Sequence, residues 1–159
     1  MSRSLSDSES VLKELSSYLQ INNKKKHVIS TNEGSAVSIG IGYYLSTKKL
    51  PIVYLQNSGV SNALNPLISI AHEKVYSIPL ILIIGWRGSP RVKDEPQHNV
   101  KGQITEKILK LLNIKYTIVR SKIDLKKFDK QILQILRTPR VFIIKFPNDT
   151  PNIINKIYN

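Results

Sequence analysis

The feature that most constrains the fold of this chain is the run PLILIIG at residues 79–85, which contains no polar side chain. A strand that is half-buried alternates apolar and polar residues, whereas a strand buried on both faces is apolar throughout. The run is also far shorter than the ~20 residues that cross a bilayer. We therefore expect it to form a central strand of a sheet with helices on both faces.

Helix and strand patterns alternate on both sides of this run. Strands are predicted at residues 27–30, 51–56, 79–84, 116–119 and 141–146, and helices at 9–21, 33–45, 60–72, 101–112 and 125–136. Pro66 is expected near the first turn of its helix, where the missing N–H is tolerated. The alternation predicts an α/β fold: a three-layer sandwich with a mostly parallel central sheet of about five or six strands.

Length and composition limit the further possibilities. The 159 residues fit one domain, expected at 10–147 with tails at 1–9 and 148–159. The absence of Cys excludes disulfides, a thiolate nucleophile and Cys-ligated zinc. The amino terminus has no apolar signal core, so we expect a cytoplasmic protein.

The positive charge has two interpretations. With 24 Lys+Arg against 11 Asp+Glu, the formal net charge is +13, which would suit a nucleic-acid binder. The lysines are spread along the chain, however, and are not interleaved with aromatic residues. The chain is also rich in Ile and Asn, which together with Lys are favoured by AT-rich coding. We favour solvated surface charge, and consider a nucleic-acid partner the weaker alternative.

Parallel sheets bind ligands at the carboxyl ends of their strands, so the segments that directly follow strands are the candidate site. Glu33 follows one predicted strand and begins a helix rich in Gly and Ala. It is either a charge that favours the helix start or a carboxylate that hydrogen-bonds a ligand ring nitrogen. The loop 85–99 contains the only Trp among many polar residues, and is either functional or an exposed excursion.

The sequence does not support a dinucleotide-binding site or a metal site. Gly40-Ile-Gly42 begins like a dinucleotide motif, but Leu45 stands where the third Gly should be. The three His residues are too scattered along the sequence to suggest a metal site in this chain.

Several ordered strings resemble one known family. They are Thr31-Asn-Glu-Gly-Ser-Ala36, Tyr54-Leu-Gln-Asn-Ser-Gly59, Asn62-Ala-Leu-Asn-Pro-Leu67, Tyr76-Ser-Ile-Pro79, Ile84-Gly-Trp-Arg-Gly88 and Lys93-Asp-Glu-Pro-Gln-His98. Together they resemble the pyrimidine-binding half of the phosphonopyruvate decarboxylases, which are thiamine diphosphate enzymes. The sulfopyruvate decarboxylase alpha subunit is the next most similar. The resemblance runs from about residue 10 to residue 120.

The resemblance implies roles for individual residues. Glu33 would contact a nitrogen of the cofactor's aminopyrimidine ring and promote proton removal from the thiazolium carbon. The cofactor-binding residues would be Asn32, Glu33, Asn57, Ser58, Gly59 and Asn62. Ser58 departs from the Gly of the broader pattern, so only backbone contacts near Gly59 carry over. Our hypothesis, based on charge and hydrogen-bond donors, is that the substrate anion meets Arg87, Lys93, Gln97 or His98.

Two departures from the family affect the expected active site. A Gly-Val-Pro-Asp-Ser string is absent, so we expect the family's first strand and its loop to be missing or replaced. A Gly-Asp-Gly string with a downstream Asn, which holds diphosphate and Mg²⁺ in the family, is absent too. The resemblance then implies that thiamine diphosphate binds between this chain and a partner chain or domain that ligates Mg²⁺, in a hetero- or homo-oligomer.

The implied reaction is decarboxylation of a small anionic 2-oxo acid, 3-phosphonopyruvate, to phosphonoacetaldehyde and CO₂. The alternatives are sulfopyruvate decarboxylation and a non-catalytic remnant that keeps the fold as a binding module. The choice between phosphonate and sulfonate rests on the resemblance alone, because both are small tetrahedral anions.

Overall fold

The computed structural model describes residues 12–22, 26–90 and 94–119, and the backbone of residues 140–144. Its elements are α1 (Lys13–Asn22), α2 (Glu33–Thr47), β1 (Ile52–Gln56), a 3₁₀ turn (Asn57–Gly59), α3 (Val60–Pro66), a π-helical turn (Leu67–Ala71), β2 (Ile81–Gly85), α4 (Pro96–Leu111), β3 (Lys115–Val119) and β4 (Arg140–Ile144). The predicted tails and the predicted helix 125–136 lie outside the described residues. None of the helices in the described ranges is long and apolar enough to cross a membrane.

The four described strands form one sheet in the order β1-β2-β4-β3, and every pairing is parallel. All five residues of β2 are buried, as the apolar run predicts for a strand covered on both faces. The parallel α/β fold is thus confirmed, whereas the described residues supply four of the expected five or six strands. Gln56 pairs with Gly85, so β1 and β2 end side by side.

Helices cover both faces of the sheet. On one face α1 buries Leu15 and Leu19 against Ile81 and Ile83 of β2. On the other face α2, α3, the π-helical turn and α4 pack on alternate strand residues; the buried members there include Val37, Val60, Leu67 and Leu109 with Leu82 and Ile84. Each such aliphatic side chain contributes about 1.5–3 kcal/mol when it is fully buried. The second face has the larger buried cluster, and it carries the helices that precede and follow β1.

The prediction of a strand at 27–30 is wrong, because this segment pairs with no described strand and is irregular. Val28 and Ile29 are 66% and 72% exposed, so the apolar pair that suggested a strand is not buried. His27 is held by its side chain instead: its ring stacks on Tyr54, and its Nε2 lies 2.7 Å from the Tyr54 hydroxyl. A short run of β-branched residues does not by itself specify pairing.

Pro66 does not lie near the first turn as predicted; it is the last residue of α3, and the π-helical turn follows it. Because proline has no N–H, it cannot donate the usual helical bond to the carbonyl of Asn62. That carbonyl faces α2, where a Cβ on Gly34 would lie 2.7 Å from the Asn62 oxygen. Glycine at 34 thus lets α2 and α3 approach closely.

The fourth helix begins at Pro96, five residues earlier than the predicted start at 101. Proline suits the first position of a helix, and the N–H groups of His98 and Asn99 both donate to the Glu95 carbonyl, at 2.9 and 3.0 Å. Gln97 and His98 consequently lie on the first turn of α4 and not in a loop.

Candidate functional site

The candidate site centres on Glu33, the first residue of α2. Asn32 caps this helix: its side chain accepts a hydrogen bond from the Ser35 N–H at 2.9 Å. The Glu33 side chain is only half-buried. Its Oε2 accepts a hydrogen bond of 2.9 Å from Nδ2 of Asn62 on α3, so the carboxylate is oriented from the neighbouring helix.

Gly59 lies against the Glu33 carboxylate, in the turn that directly follows β1. A Cβ built on Gly59 would overlap the end of the Glu33 side chain, so only glycine fits without displacing it. Oε1 of Glu33 has no hydrogen-bond partner among the described residues. The fold therefore brings together three residues predicted for the site, Glu33, Gly59 and Asn62, and leaves one carboxylate oxygen able to accept a bond from a ligand.

Asn57 is buried and directs its amide into the protein. Its Oδ1 accepts from the Arg87 N–H at 3.1 Å, and its Nδ2 donates to the Arg87 carbonyl at 2.9 Å and to the Thr105 hydroxyl at 3.2 Å. These bonds join the end of β1 to the end of β2 and to α4. The Asn57 side chain, predicted to bind cofactor, thus holds three segments of the site edge together.

Arg87 forms an ion pair with Asp94 within the loop that follows β2. Its NH2 and Nε donate to the two carboxylate oxygens at 2.6 and 3.1 Å, and the two side chains are 10% and 13% exposed. Asp94 also accepts from the N–H groups of Gly88 and Glu95. The bonds from Arg87, and then those from the two N–H groups, hold the pKa of Asp94 well below its ordinary value despite the opposing effect of burial.

The start of this loop is folded onto α4 and is not an exposed excursion. Trp86 is 4% exposed, and its indole N–H donates to the Gly102 carbonyl at 3.0 Å. Gly88 has a φ of +63° and lies so close to the His98 carbonyl that a side chain would not fit. Gly102 meets the Gly88 carbonyl equally closely. The loop is therefore fixed to the first turns of α4.

The remaining predicted residues lie at this helix start or outside the described part. Gln97 is exposed and donates to the Glu95 carboxylate. His98 is 16% exposed; its Nε2 lies 3.8 Å from Glu95, and its buried Nδ1 has no hydrogen-bond partner within the described part of the chain. Lys93 lies outside the described residues. In the described ranges, no group of three or more His, Asp or Glu residues could hold a metal ion.

Sequence reasoning missed Asp94, Thr105 and Lys101. Asp94 and Thr105 act through folded contacts that no local pattern reveals. Lys101 extends from α4 to the same edge of the sheet, where its Nζ lies 3.5 Å from the Ser58 carbonyl. Its signal in the sequence was weak, because it is one of many lysines in the chain.

Comparison with known proteins gives a consistent set of relatives. Residues 8–109 match the family model described as thiamine pyrophosphate enzyme, N-terminal TPP binding domain. The chain is 36% identical over 99 residues to a phosphonopyruvate decarboxylase of Streptomyces viridochromogenes, an alignment that covers 62% of this chain and 24% of that relative. It is 34% identical over 105 residues to a sulfopyruvate decarboxylase subunit alpha of Methanococcus maripaludis, covering 66% of this chain and 60% of that subunit.

A second sulfopyruvate decarboxylase subunit alpha, from Methanocaldococcus jannaschii, is 35% identical over 104 residues and is covered over 59% of its length. The chain thus spans about a quarter of the phosphonopyruvate decarboxylase and about three-fifths of the alpha subunits. The family match includes the whole of α2, α3 and the loop that carries Arg87 and Asp94.

Proposed function

This chain belongs to the thiamine pyrophosphate enzymes, as an N-terminal TPP binding domain, and from that premise we propose that it is the pyrimidine-binding part of a 2-oxo acid decarboxylase acting on 3-phosphonopyruvate. The products are phosphonoacetaldehyde and CO₂. The observation that carries the proposal is the cluster of Glu33, Gly59 and Asn62 at the carboxyl end of β1.

The residues present fit an aminopyrimidine ring. Glu33 offers a carboxylate oxygen without a partner among the described residues, and the absence of a side chain at Gly59 lets the Glu33 carboxylate lie directly against the turn that follows β1. When bound, thiamine diphosphate supplies a nucleophilic carbon and an electron sink for loss of CO₂. Glu33 would hold a proton between its Oε1 and a ring nitrogen, and the turn at Ser58 and Gly59 would contact the ring through its backbone.

Asn62 is proposed to orient Glu33 in this role. Its amide donates to Oε2 at 2.9 Å, which leaves Oε1 as the oxygen that would bond a ligand. Asn32 also helps to position Glu33, because its side chain caps α2 and so fixes the first turn of that helix. In the isolated chain Glu33 is only half-buried, as we expect if a partner chain or domain covers the rest of the site.

We propose that a partner chain or domain binds the diphosphate and Mg²⁺. The name "subunit alpha" of three relatives implies a partner subunit in those enzymes. Among the described residues of the present chain, no group of three or more His, Asp or Glu side chains could hold a metal ion. The assembly is then a hetero- or homo-oligomer with the cofactor at an interface.

Sulfopyruvate is the alternative substrate, because alpha subunits of sulfopyruvate decarboxylase are relatives of similar identity. A non-catalytic binding module is the alternative outside this class of enzymes. It would keep the fold and the Arg87-Asp94 loop but would need no free carboxylate oxygen at Glu33.

The test is a CO₂-release assay on 3-phosphonopyruvate and sulfopyruvate with thiamine diphosphate and Mg²⁺, using the chain alone and the chain co-expressed with a candidate diphosphate-binding partner. We expect activity only with both. The Glu33→Ala variant of the assembly should lose activity by about 10²-fold or more, since it removes the group that moves the proton.

The control is Glu73→Gln, which changes an exposed carboxylate that accepts a bond from Asn113, a residue just beyond the carboxyl end of α4. This variant should retain wild-type turnover. Full activity of Glu33→Ala would remove the proposed mechanism, and an assembled wild type inactive on both oxo acids would favour the binding module.

A further inference from the structure

The proposed substrate carries a tetrahedral anion, yet the arginine first predicted to meet it is already engaged. Arg87 donates two hydrogen bonds to Asp94, and its side chain is 10% exposed. Asp94 is itself held by two backbone N–H groups. Because this pair is compensated and enclosed, Arg87 serves the loop and leaves little charge for a ligand.

Lys101 lies at the same edge and is exposed. Its Nζ is 3.5 Å from the carbonyl of Ser58, the residue before Gly59, whose backbone lies against the Glu33 carboxylate. No carboxylate of the described residues lies within ion-pair distance of this ammonium group. The lysine thus carries an uncompensated positive charge beside the turn that borders Glu33.

The backbone of Lys101 is fixed by the hydrogen bonds that join the strand ends. Its carbonyl accepts a bond of 2.7 Å from the Thr105 hydroxyl, and that hydroxyl accepts one of 3.2 Å from Asn57. Thr105 and Asn57 are 1% and 5% exposed. The helix turn that presents Lys101 therefore holds a set position relative to Ser58, and the exposed ammonium group, 3.5 Å from the Ser58 carbonyl, can turn to a ligand.

We propose that Lys101 is the residue of this chain that binds the anionic tail of the substrate, a phosphonate or a sulfonate, and so selects tailed 2-oxo acids over pyruvate. The inference rests on the proposed function. An ammonium group suits this task because it donates up to three hydrogen bonds to tetrahedral oxygens without a fixed fork geometry.

The test compares Lys101→Met with Lys110→Met in the assembled enzyme. Both variants remove one exposed lysine of α4, but Lys110 lies nine residues further on, about 13 Å along the helix. We expect Lys101→Met to raise KM for 3-phosphonopyruvate and sulfopyruvate about tenfold or more, with a small change in kcat. Lys110→Met should match the wild type, and Lys101→Arg should recover most of the loss.

A binding measurement separates the tail from the cofactor. Titration of the assembled protein with phosphonoacetate should show a Kd raised about tenfold in Lys101→Met, and titration with thiamine diphosphate should give an unchanged Kd. An unchanged KM and phosphonoacetate Kd would overturn the inference, as would a loss confined to thiamine diphosphate. A wild-type assembly inactive on both oxo acids would overturn the proposed function itself, and the inference with it.

Discussion

At Asp94 one carboxylate receives four hydrogen bonds from three residues of the loop between β2 and α4, namely Arg87, Gly88 and Glu95. Two come from the Arg87 side chain and two from backbone N–H groups, and together they hold the pKa of Asp94 far below its ordinary value. The loop therefore depends on the ionised form of a single residue. No periodicity could have predicted this, because the partners meet only after the loop has folded onto α4.

We expect the Asp94→Asn variant to lower the free energy of unfolding at neutral pH by about 2 kcal/mol, because Arg87 loses its counter-charge in a largely enclosed place. Since the folded pKa lies below the unfolded one, the carboxylate stabilises the fold fully at about pH 6 and above, and the stabilisation is lost as the pH falls toward 2. Urea unfolding at several pH values measures both effects.

In the variant, the unfolding free energy should depend less steeply on pH below about 5 than in the wild type. Glu73→Gln is the control, because it makes the same acid-to-amide change at an exposed position. An acid slope identical in Asp94→Asn and wild type would contradict the role given to the pair.

At the scale of the element, the helix α2 contributes its first turn to the site and its following turns to the hydrophobic core. Its first turn carries Glu33 and Gly34, which contact Gly59 and Asn62, while Val37 and Ile41 are buried beneath it. The start of this helix was predictable, since Asn followed by an acidic residue is a known helix-start pattern. The contact of Gly34 with α3 was not, since it depends on how closely the Asn62 carbonyl packs against α2 in the folded chain.

Two glycines of α2 provide an internal comparison. Gly42 is exposed, and a Cβ there would meet nothing within 4 Å, so Gly42→Ala should raise the free energy of unfolding by about 0.4–1 kcal/mol. Gly34→Ala should lower it by about 1–3 kcal/mol, because the new Cβ would lie 2.7 Å from a backbone oxygen. Chemical denaturation of the two variants measures the difference, and a stabilised Gly34→Ala would contradict the close helix contact.

At the scale of the whole molecule, the layered parallel sheet followed from the sequence because an all-apolar strand must be covered on both sides. The family predicted from the ordered strings is confirmed by the match over residues 8–109. The wrong predictions rest on short segments. Residues 27–30 have the composition of a strand but pair with no described strand, and the start of α4 at Pro96 lies among polar residues that are typical of a loop. The sequence predicted the site residues Glu33, Gly59 and Asn62. It did not predict the pairing of Arg87 with Asp94, which forms only within the folded loop.

The surface charge gives a prediction for the whole chain. With a formal net charge of +13, the protein should bind duplex DNA weakly at low salt. If the lysines are ordinary solvated residues, binding should show no sequence preference and a Kd of roughly 10⁻⁴–10⁻⁶ M at physiological salt. Fluorescence anisotropy with labelled duplexes at two salt concentrations measures the Kd. Sequence-selective binding with a nanomolar Kd would contradict the prediction and favour a nucleic-acid partner.

Asn62 contacts the first turn of α2 twice, through its side chain to Glu33 and through its carbonyl against Gly34, and Pro66 cannot donate the usual helical bond to that carbonyl. These four positions cannot evolve independently. A larger residue at 34 would require α3 to retreat, and the retreat would withdraw the amide from Glu33. Homologues that replace Gly34 should therefore also differ at 62 or 66, so that these positions covary as a group.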